Sequence, residues 1–586
     1  MLRSTDSGLT MPGKIAAKKP ELIFISLLTL LALALRVYQV GAPSLWYDEL
    51  LALDVVQGSF WQIGPQLERH AAMPLDYYLL YGWIKLGRQD AWVRFPALFF
   101  GTLAVPVIYL LATRLLNKRV GYLAAMLLAW ASFSIHYSQE VRPYALLLLL
   151  TMLSYLGLWQ AYKTGQSKYW GLAILAMVGA VLAHYFALFL LLPIGLFVGL
   201  SQLFHLGQKK YWQHAAYFML CVFILLIIFT LNGRLRHLYN VGGRFSTVVS
   251  QPETLTLPAD EKPNKGLGPP LKLEFFTTDV LMPLATADPT ILLLYNAFLL
   301  ITLVSIVVAK PVDRTAILLL LGWLFLPIIL IYLFLLQRGT FFAVRYILYT
   351  LPAYLILVAY GIDTLVTSIL NFFITEQQDS ILNSKKLLWG SLLFLAATPL
   401  IFAELNELLT HYSADSREDW RAVGQLLQNN AEPDDAVIAV KAEPAINWYY
   451  PPASAPFGTF SRSEPIWEAI KQHKRRWFVL SSYSFKRDEG LRNWLREQQA
   501  VTIAIDGRVV VYIQQEGLTA EELLAQVHTF ALPQKALTYA TLADQLSQHG
   551  DIETSRAFYQ KAIELAKTPI QKVDYQARLA ALAMSH

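Results

Sequence analysis

Apolar runs long enough to cross a bilayer recur from residue 21 to about residue 408, separated by short polar and basic segments. A hydrocarbon core takes ~20 helical residues. On that measure the pattern predicts spans at 21–40, 94–114, 120–137, 144–162, 169–187, 188–206, 211–232, 291–309, 315–336, 346–370 and 388–408, about eleven in all. The stretch 73–88 is apolar but short and rich in Tyr and Trp, a composition suited to the headgroup level. Basic residues fix the register. Arg3, Lys14, Lys18 and Lys19 precede the first run, and nearly every later short basic loop falls on the same side if 73–88 lies on the surface. The positive-inside rule then puts the N-terminus in the cytoplasm and the C-terminus outside.

After the last span the pattern changes. Residues 411–515 alternate amphipathic helical stretches (417–430, 464–474, 488–498) with short β-rich runs (436–440, 477–481, 501–505, 508–513), which predicts a small external α/β domain. Residues 516–586 are polar and helical, and Leu542, Leu546, Gly550, Tyr559 and Ala562 fall at the spacing of one tetratricopeptide-like helix pair. One such pair cannot bury its own face, so the tail is expected to pack on the α/β domain or on a partner. The fold class expected is therefore a polytopic α-helical membrane protein with an external α/β domain and a helical tail. Its parts are a cytoplasmic N-terminus (1–20), a transmembrane domain (21–410), a first external loop with an interfacial helix (41–93) and a long external loop (233–290). That long loop, with Gly242-Gly243 and Lys265-Gly266-Leu267-Gly268-Pro269-Pro270, suits a lid over a site at the membrane face and equally an idle insertion.

Composition agrees with this class: of 586 residues, 55% are hydrophobic and only 15% charged. A net charge of +6 would suit nucleic acid, but the basic residues lie where membrane topology demands them, and no nucleic-acid motif is present. Cys221 is the single cysteine, which excludes an intrachain disulfide. No small-residue cleavage pattern follows the first run, so it reads as an anchor.

The register gathers polar groups at one membrane face. Asp48 and Glu49 follow the first span, and His70 and Asp76 share their loop. Arg94 opens the second span at its outer end, Glu140 and Arg142 form a tight external hairpin before Tyr144, His184 and Tyr185 lie at a span end, and Arg338 and Arg345 flank another external turn. Arginine is disfavoured at outer ends. Carboxylate partners within the protein are one reason for it there; an anionic ligand is another, because the guanidinium fork suits phosphate oxygens. The chemistry that fits is transfer of a sugar from a lipid phosphate, with a carboxylate deprotonating an acceptor hydroxyl and cations meeting the leaving phosphate. Asp48 and Glu49 could instead hold a divalent cation, although two carboxylates alone are a weak metal signature. A carrier or flippase of lipid-linked sugars is the competing reading. Carriers place their sites near the midplane, often between internal repeats, whereas here the charges gather at external ends and the halves show no repeat.

Asp48-Glu49, Met73-Pro74-Leu75, Arg94-Phe95-Pro96-Ala97-Leu98, Ser138-Gln139-Glu140-Val141-Arg142-Pro143-Tyr144 and Arg345-Tyr346 together resemble the bacterial GT-C membrane glycosyltransferases. The nearest group is the protein-O-mannosyltransferase-like one that includes the aminoarabinose transferases. The resemblance covers most of 21–410. It implies a polyprenyl-phosphate-linked sugar donor, a lipid, glycan or protein acceptor, and a site at the outer face of a bacterial inner membrane. Asp48 would be the base, with Glu49 assisting it or binding metal. The family often has Pro-Pro where this chain reads Met73-Pro74, and Tyr where it has Asp76.

Overall fold

The structure is a computed structural model that describes residues 19–67, 72–204, 209–231, 280–286, 288–307, 310–338, 343–373, 381–413, 417–440, 442–451, 470, 472–481 and 489–584. The chain divides into two compact units. The first comprises Met1–Tyr38, Glu68–Asp76 and Arg94–Ser413; the second comprises Gln39–Leu67, Tyr77–Val93 and Ala414–His586.

The first unit is a multi-pass helical bundle. Seven helices are long and apolar enough to cross a membrane: Lys19–Val37, Asp90–Leu115, Tyr144–Thr164, Tyr185–Phe204, Asp313–Phe334, Val344–Phe372 and Leu388–Tyr412. An eighth arises if Lys118–Trp130 and Ser132–Ser138, bent by 57°, are one span. Helices also form at the remaining expected positions, but Ser167–Ala183, Trp212–Ile228 and Pro289–Ser305 are shorter apolar segments. Length and composition thus give seven or eight spans among the described residues, where about eleven were expected. Part of the reason is His184. There the backbone turns extended (φ −154°) and leads into a 3-10 turn, Tyr185–Leu190, dividing an apolar run that continues unbroken in sequence.

Close helix contacts come from small residues, as membrane interfaces favour. A Cβ on Gly361 would lie 2.0 Å from the Phe298 carbonyl, and one on Gly157 would lie 2.6 Å from the Ala173 nitrogen. Tyr155 stacks on Trp323 at 4.0 Å. The Trp323 indole donates to the Tyr349 carbonyl at 3.0 Å, and the Tyr349 hydroxyl donates to the Phe186 carbonyl at 3.1 Å. These contacts lock the 3-10 segments Tyr185–Leu190 and Val344–Thr350 into the core.

The bend at Ala131 frees backbone groups that lipid cannot satisfy. Arg36, wholly buried, donates to the carbonyls of Leu128 and Ala129 at 3.5 and 3.4 Å and to the Ser134 hydroxyl at 3.1 Å. On the other side of the break, Glu404 accepts the Ser132 amide at 2.7 Å.

In the second unit, β1 (Ala436–Val440), β2 (Arg475–Ser481), β3 (Val501–Asp506) and β4 (Val509–Gln515) form one sheet in the order β1-β2-β4-β3. The β1–β2 pair is parallel and the other two pairs antiparallel. β2, β3 and β4 are buried over most of their length, with Leu491 and Leu495 of the helix Glu489–Glu497 packed against the sheet; that helix and Trp420–Asn430 lie at the positions the pattern predicts. The expected helix at 464–474 lies mostly outside the described residues, as do 232–279 of the long loop. The tail holds Ala536–Gln548 and Ile552–Leu565, joined at Gly550 (φ +87°), a turn conformation that glycine adopts without strain, and then a further helix, Pro569–Met584. Leu542, Leu546, Tyr559 and Ala562 are buried, and the tail packs on the sheet. Thr538 donates to the Ala504 carbonyl at 2.7 Å, and Gln545 bonds the Thr502 amide and carbonyl at 2.9 and 2.7 Å. Most of residues 41–93 also groups with this unit rather than with the bundle.

Candidate active site

Within the first unit, four helix ends bring Arg142, Tyr144, His184 and Arg345 together. Tyr144 opens its helix directly after the Gln139–Pro143 turn, His184 marks the break described above, and Arg345 sits in the 3-10 turn Val344–Thr350. The Arg142 guanidinium hydrogen-bonds the Tyr144 hydroxyl and lies 6.0 Å from its ring centroid. The Tyr144 and His184 rings are 5.8 Å apart, those of His184 and Tyr346 are 6.1 Å apart, and Arg345 lies 5.7 Å from the Tyr346 ring. Both guanidiniums act electrostatically on His184 and on Tyr144. The His184 Nδ1 accepts the Phe186 amide at 3.3 Å, which fixes the ring and leaves its other nitrogen as the donor.

Asp76, in the first turn of Pro74–Trp83, faces the same group. Burial pushes its carboxyl up to about 6, while the Arg142 charge pulls it down. Two guanidiniums thus converge on Tyr144 and His184, with the carboxyls of Asp76 and Glu140 close by, and guanidinium geometry suits phosphate.

Glu140 is buried beside this group, its Oε1 3.3 Å from the His136 Nε2. Arg94 is wholly buried at the head of its helix. Arg338 ends the helix Pro311–Arg338, but its side chain lies outside the described residues, as does all of His70.

Asp48 and Glu49 belong to the second unit, in the first turn of Tyr47–Gln57. Asp48 is half-buried there. Glu49 is fully buried and accepts the Trp46 amide at 3.1 Å and the Arg417 guanidinium at 3.3 Å. That is a structural arrangement: it caps the helix and neutralises a buried arginine. Among the described residues no three His, Cys, Asp or Glu side chains converge to hold a metal ion, so the residues present do not fit a divalent cation at Asp48 and Glu49.

The contacts that anchor this loop within its unit have no signature along the chain. Tyr449 accepts the Leu45 amide at 2.9 Å and donates to Asp90 at 2.6 Å. Arg421 also binds Asp90 and donates to the Gly41 carbonyl at 2.9 Å. Asn447 donates to Asp54 at 3.2 Å, and Arg88 stacks over Trp448 at 4.5 Å. Arg421 lies in the charged stretch that opens the first helix of the α/β domain. Its spacing from Asp90 carries no local pattern that a reading along the chain could detect.

Residues 70–230 match the family described as dolichyl-phosphate-mannose-protein mannosyltransferase. No curated protein is a match for the chain. Among solved structures, the chain is similar to ArnT from Cupriavidus metallidurans in the apo state. The identity is 11% and the TM-score 0.53, over 84% of this chain and 98% of that one. It is equally similar to ArnT from the same organism bound to undecaprenyl phosphate, at 12% identity and a TM-score of 0.53 over 86% and 99% of the two chains.

Proposed function

We propose that this chain, a membrane glycosyltransferase of the GT-C type, moves a sugar from a polyprenyl-phosphate carrier to an acceptor hydroxyl at the external face of a bacterial inner membrane, with its C-terminal module outside. The observation that carries the reading is the convergence of Arg142 and Arg345 on Tyr144 and His184 at the ends of apolar helices, where two guanidinium forks suit the oxygens of one phosphate. The undecaprenyl phosphate bound by the structurally similar ArnT has the chemistry such a site would take.

In this reading Arg142 and Arg345 hold the carrier phosphate, and Tyr144 and His184 orient it. Asp48 is the general base. Its carboxylate takes the proton from the acceptor hydroxyl as that oxygen attacks the anomeric carbon. The bond from that carbon to the phosphate oxygen breaks, and the electron pair leaves with the phosphate, where the guanidiniums meet the added charge. Glu49 supports the base by fixing its helix turn. His70, Arg94, Glu140 and Arg338 are assigned to the substrate-binding set by their positions along the chain, and the acceptor is a lipid, a glycan or a protein.

Asp48→Asn tests the base. Sugar transfer from a labelled polyprenyl-phosphate donor falls at least ~100-fold with the protein folded and inserted as before. Transfer at the wild-type rate removes Asp48 from the mechanism.

A further inference from the structure

Glu140 is joined to a hydrogen-bonded chain whose direction can be worked out atom by atom. Gln139 is buried, and its amide nitrogen lies 2.8 Å from the Arg36 carbonyl and 2.9 Å from the Tyr38 carbonyl. Both partners only accept, so this end of the side chain is the NH2 group and the other end is the oxygen. That oxygen lies 3.0 Å from the His411 Nε2, which must therefore donate to it. A neutral His411 then presents a bare Nδ1. The His136 Nδ1 is 3.2 Å away and must carry the proton of that contact. This leaves the His136 Nε2 facing Glu140 Oε1 at 3.3 Å with one proton to share: neutral imidazole and carboxylic acid, or imidazolium and carboxylate.

The two ends differ in exposure. The His136 side chain is 37% exposed and that of Glu140 only 4%. His136, near the end of its helix, is thus the more exposed member of a pair whose other member is buried beside Arg142. Glu404 and Glu407 lie on the helix that carries His411, and they bind the Ser132 amide, the Ser132 hydroxyl and the Thr286 hydroxyl, each at 2.7 Å. Arg36 is occupied by carbonyls and serines, and the rings nearest the two imidazoles are those of Tyr137 and Tyr412.

We infer that His136, oriented by His411 and Gln139, is a positioning residue that holds the proton of Glu140 and exchanges it with solvent. A proton arriving on Glu140 Oε1 passes to the His136 Nε2 and leaves as the imidazolium deprotonates to water; no other group changes its proton count. For transfer chemistry the inference rests on Glu140 belonging to the proposed active site, while the chain itself stands on geometry alone.

The test is nitrogen-15 labelling of the 11 histidines in the full-length protein in a lipid bilayer. His411 is expected to be protonated at Nε2 and bare at Nδ1, His136 protonated at Nδ1, with a direct correlation between the two Nδ1 atoms. Both rings in the Nε2–H form, or no such correlation, overturns the inference, and this measurement needs no variant to fold. Glu140→Gln leaves an amide facing the His136 Nε2 and is expected to change that nitrogen's chemical shift while the contact between the two Nδ1 atoms persists; an unchanged His136 Nε2 signal also overturns it. In the transfer assay, His136→Gln lowers kcat and flattens its pH profile with KM within about twofold. If Glu140→Gln transfers sugar at the wild-type rate while the two Nδ1 atoms still correlate, the placement of Glu140 in the active site fails and the relay does not.

Discussion

The Glu49 carboxylate is met at 3.3 Å by the guanidinium of Arg417, a residue 368 positions further along the chain. Both are secluded, the carboxylate completely so. Removing one partner leaves the other charged and dry. Glu49→Gln is expected to destabilise the second unit by about 3 kcal/mol, read as a lower thermal midpoint. Added magnesium, manganese or zinc is expected to leave the wild-type transfer rate unchanged, because the carboxylate is already committed to Arg417 and the Trp46 amide. A rate that depends on one of these ions would reinstate the metal role.

Tyr449→Phe removes one hydroxyl that accepts from Leu45 and donates to Asp90. Burial and the Asp90 charge hold that hydroxyl well above its ordinary pKa, so it stays protonated and donating at all working pH values. Losing it strands the Leu45 amide and leaves Asp90 to Arg421 alone, at a cost of about 1–3 kcal/mol. Amide exchange across residues 41–46 should speed up while exchange in the strands stays slow.

Asp76 gives a pH dependence of known sign. Its carboxyl is raised in the folded protein from 3.8 to about 6, so the folded state holds the proton more tightly than the unfolded one. Its contribution to stability is fully present below about 4 and is lost as pH rises through about 6. Asp76→Asn therefore stabilises the protein above pH 6 by no more than about 3 kcal/mol, and has little effect at pH 4. Thermal unfolding at the two pH values checks this. The same substitution removes the acid that competes for Arg142, so polyprenyl phosphate should bind more tightly to it at neutral pH.

Arg142→Ala and Arg345→Ala each remove a charge from the anion site. Loss of a charge-assisted hydrogen bond is worth about 2 kcal/mol, or roughly a 30-fold rise in the Kd for undecaprenyl phosphate. Because both guanidiniums act on Tyr144 and His184, the double variant should depart from additivity. Unchanged binding in both single variants would remove the phosphate assignment.

The sheet was legible in sequence because its strands are apolar runs bounded by turns; 436–440 is a strand with those same bounds. Arg142 and Arg345 stood out in sequence for a different reason, since the expected register puts guanidiniums at outer span ends, against topology statistics. Asp76 entered only as one acid of the first loop, and its proximity to Arg142 depends on how separate helices pack. The Arg421–Asp90–Tyr449 group and the Glu404–Ser132 contact were not legible at all. Pairing across 331, 359 or 272 residues leaves no periodicity to read. Apolar helices lie at the eleven expected positions, and what hydropathy could not register is the backbone break at His184, which ends one of the shorter ones at Ala183.

The sharing of one unit by the first external loop and the C-terminal residues has a practical consequence. A protein shortened to end at Ser413 would retain every helix that, among the described residues, is long and apolar enough to cross a membrane, yet the segment 41–57 would lose Arg417, Arg421, Asn447 and Tyr449 in one cut. What looks in linear order like a detachable appendage is the other half of the platform on which Asp48 stands.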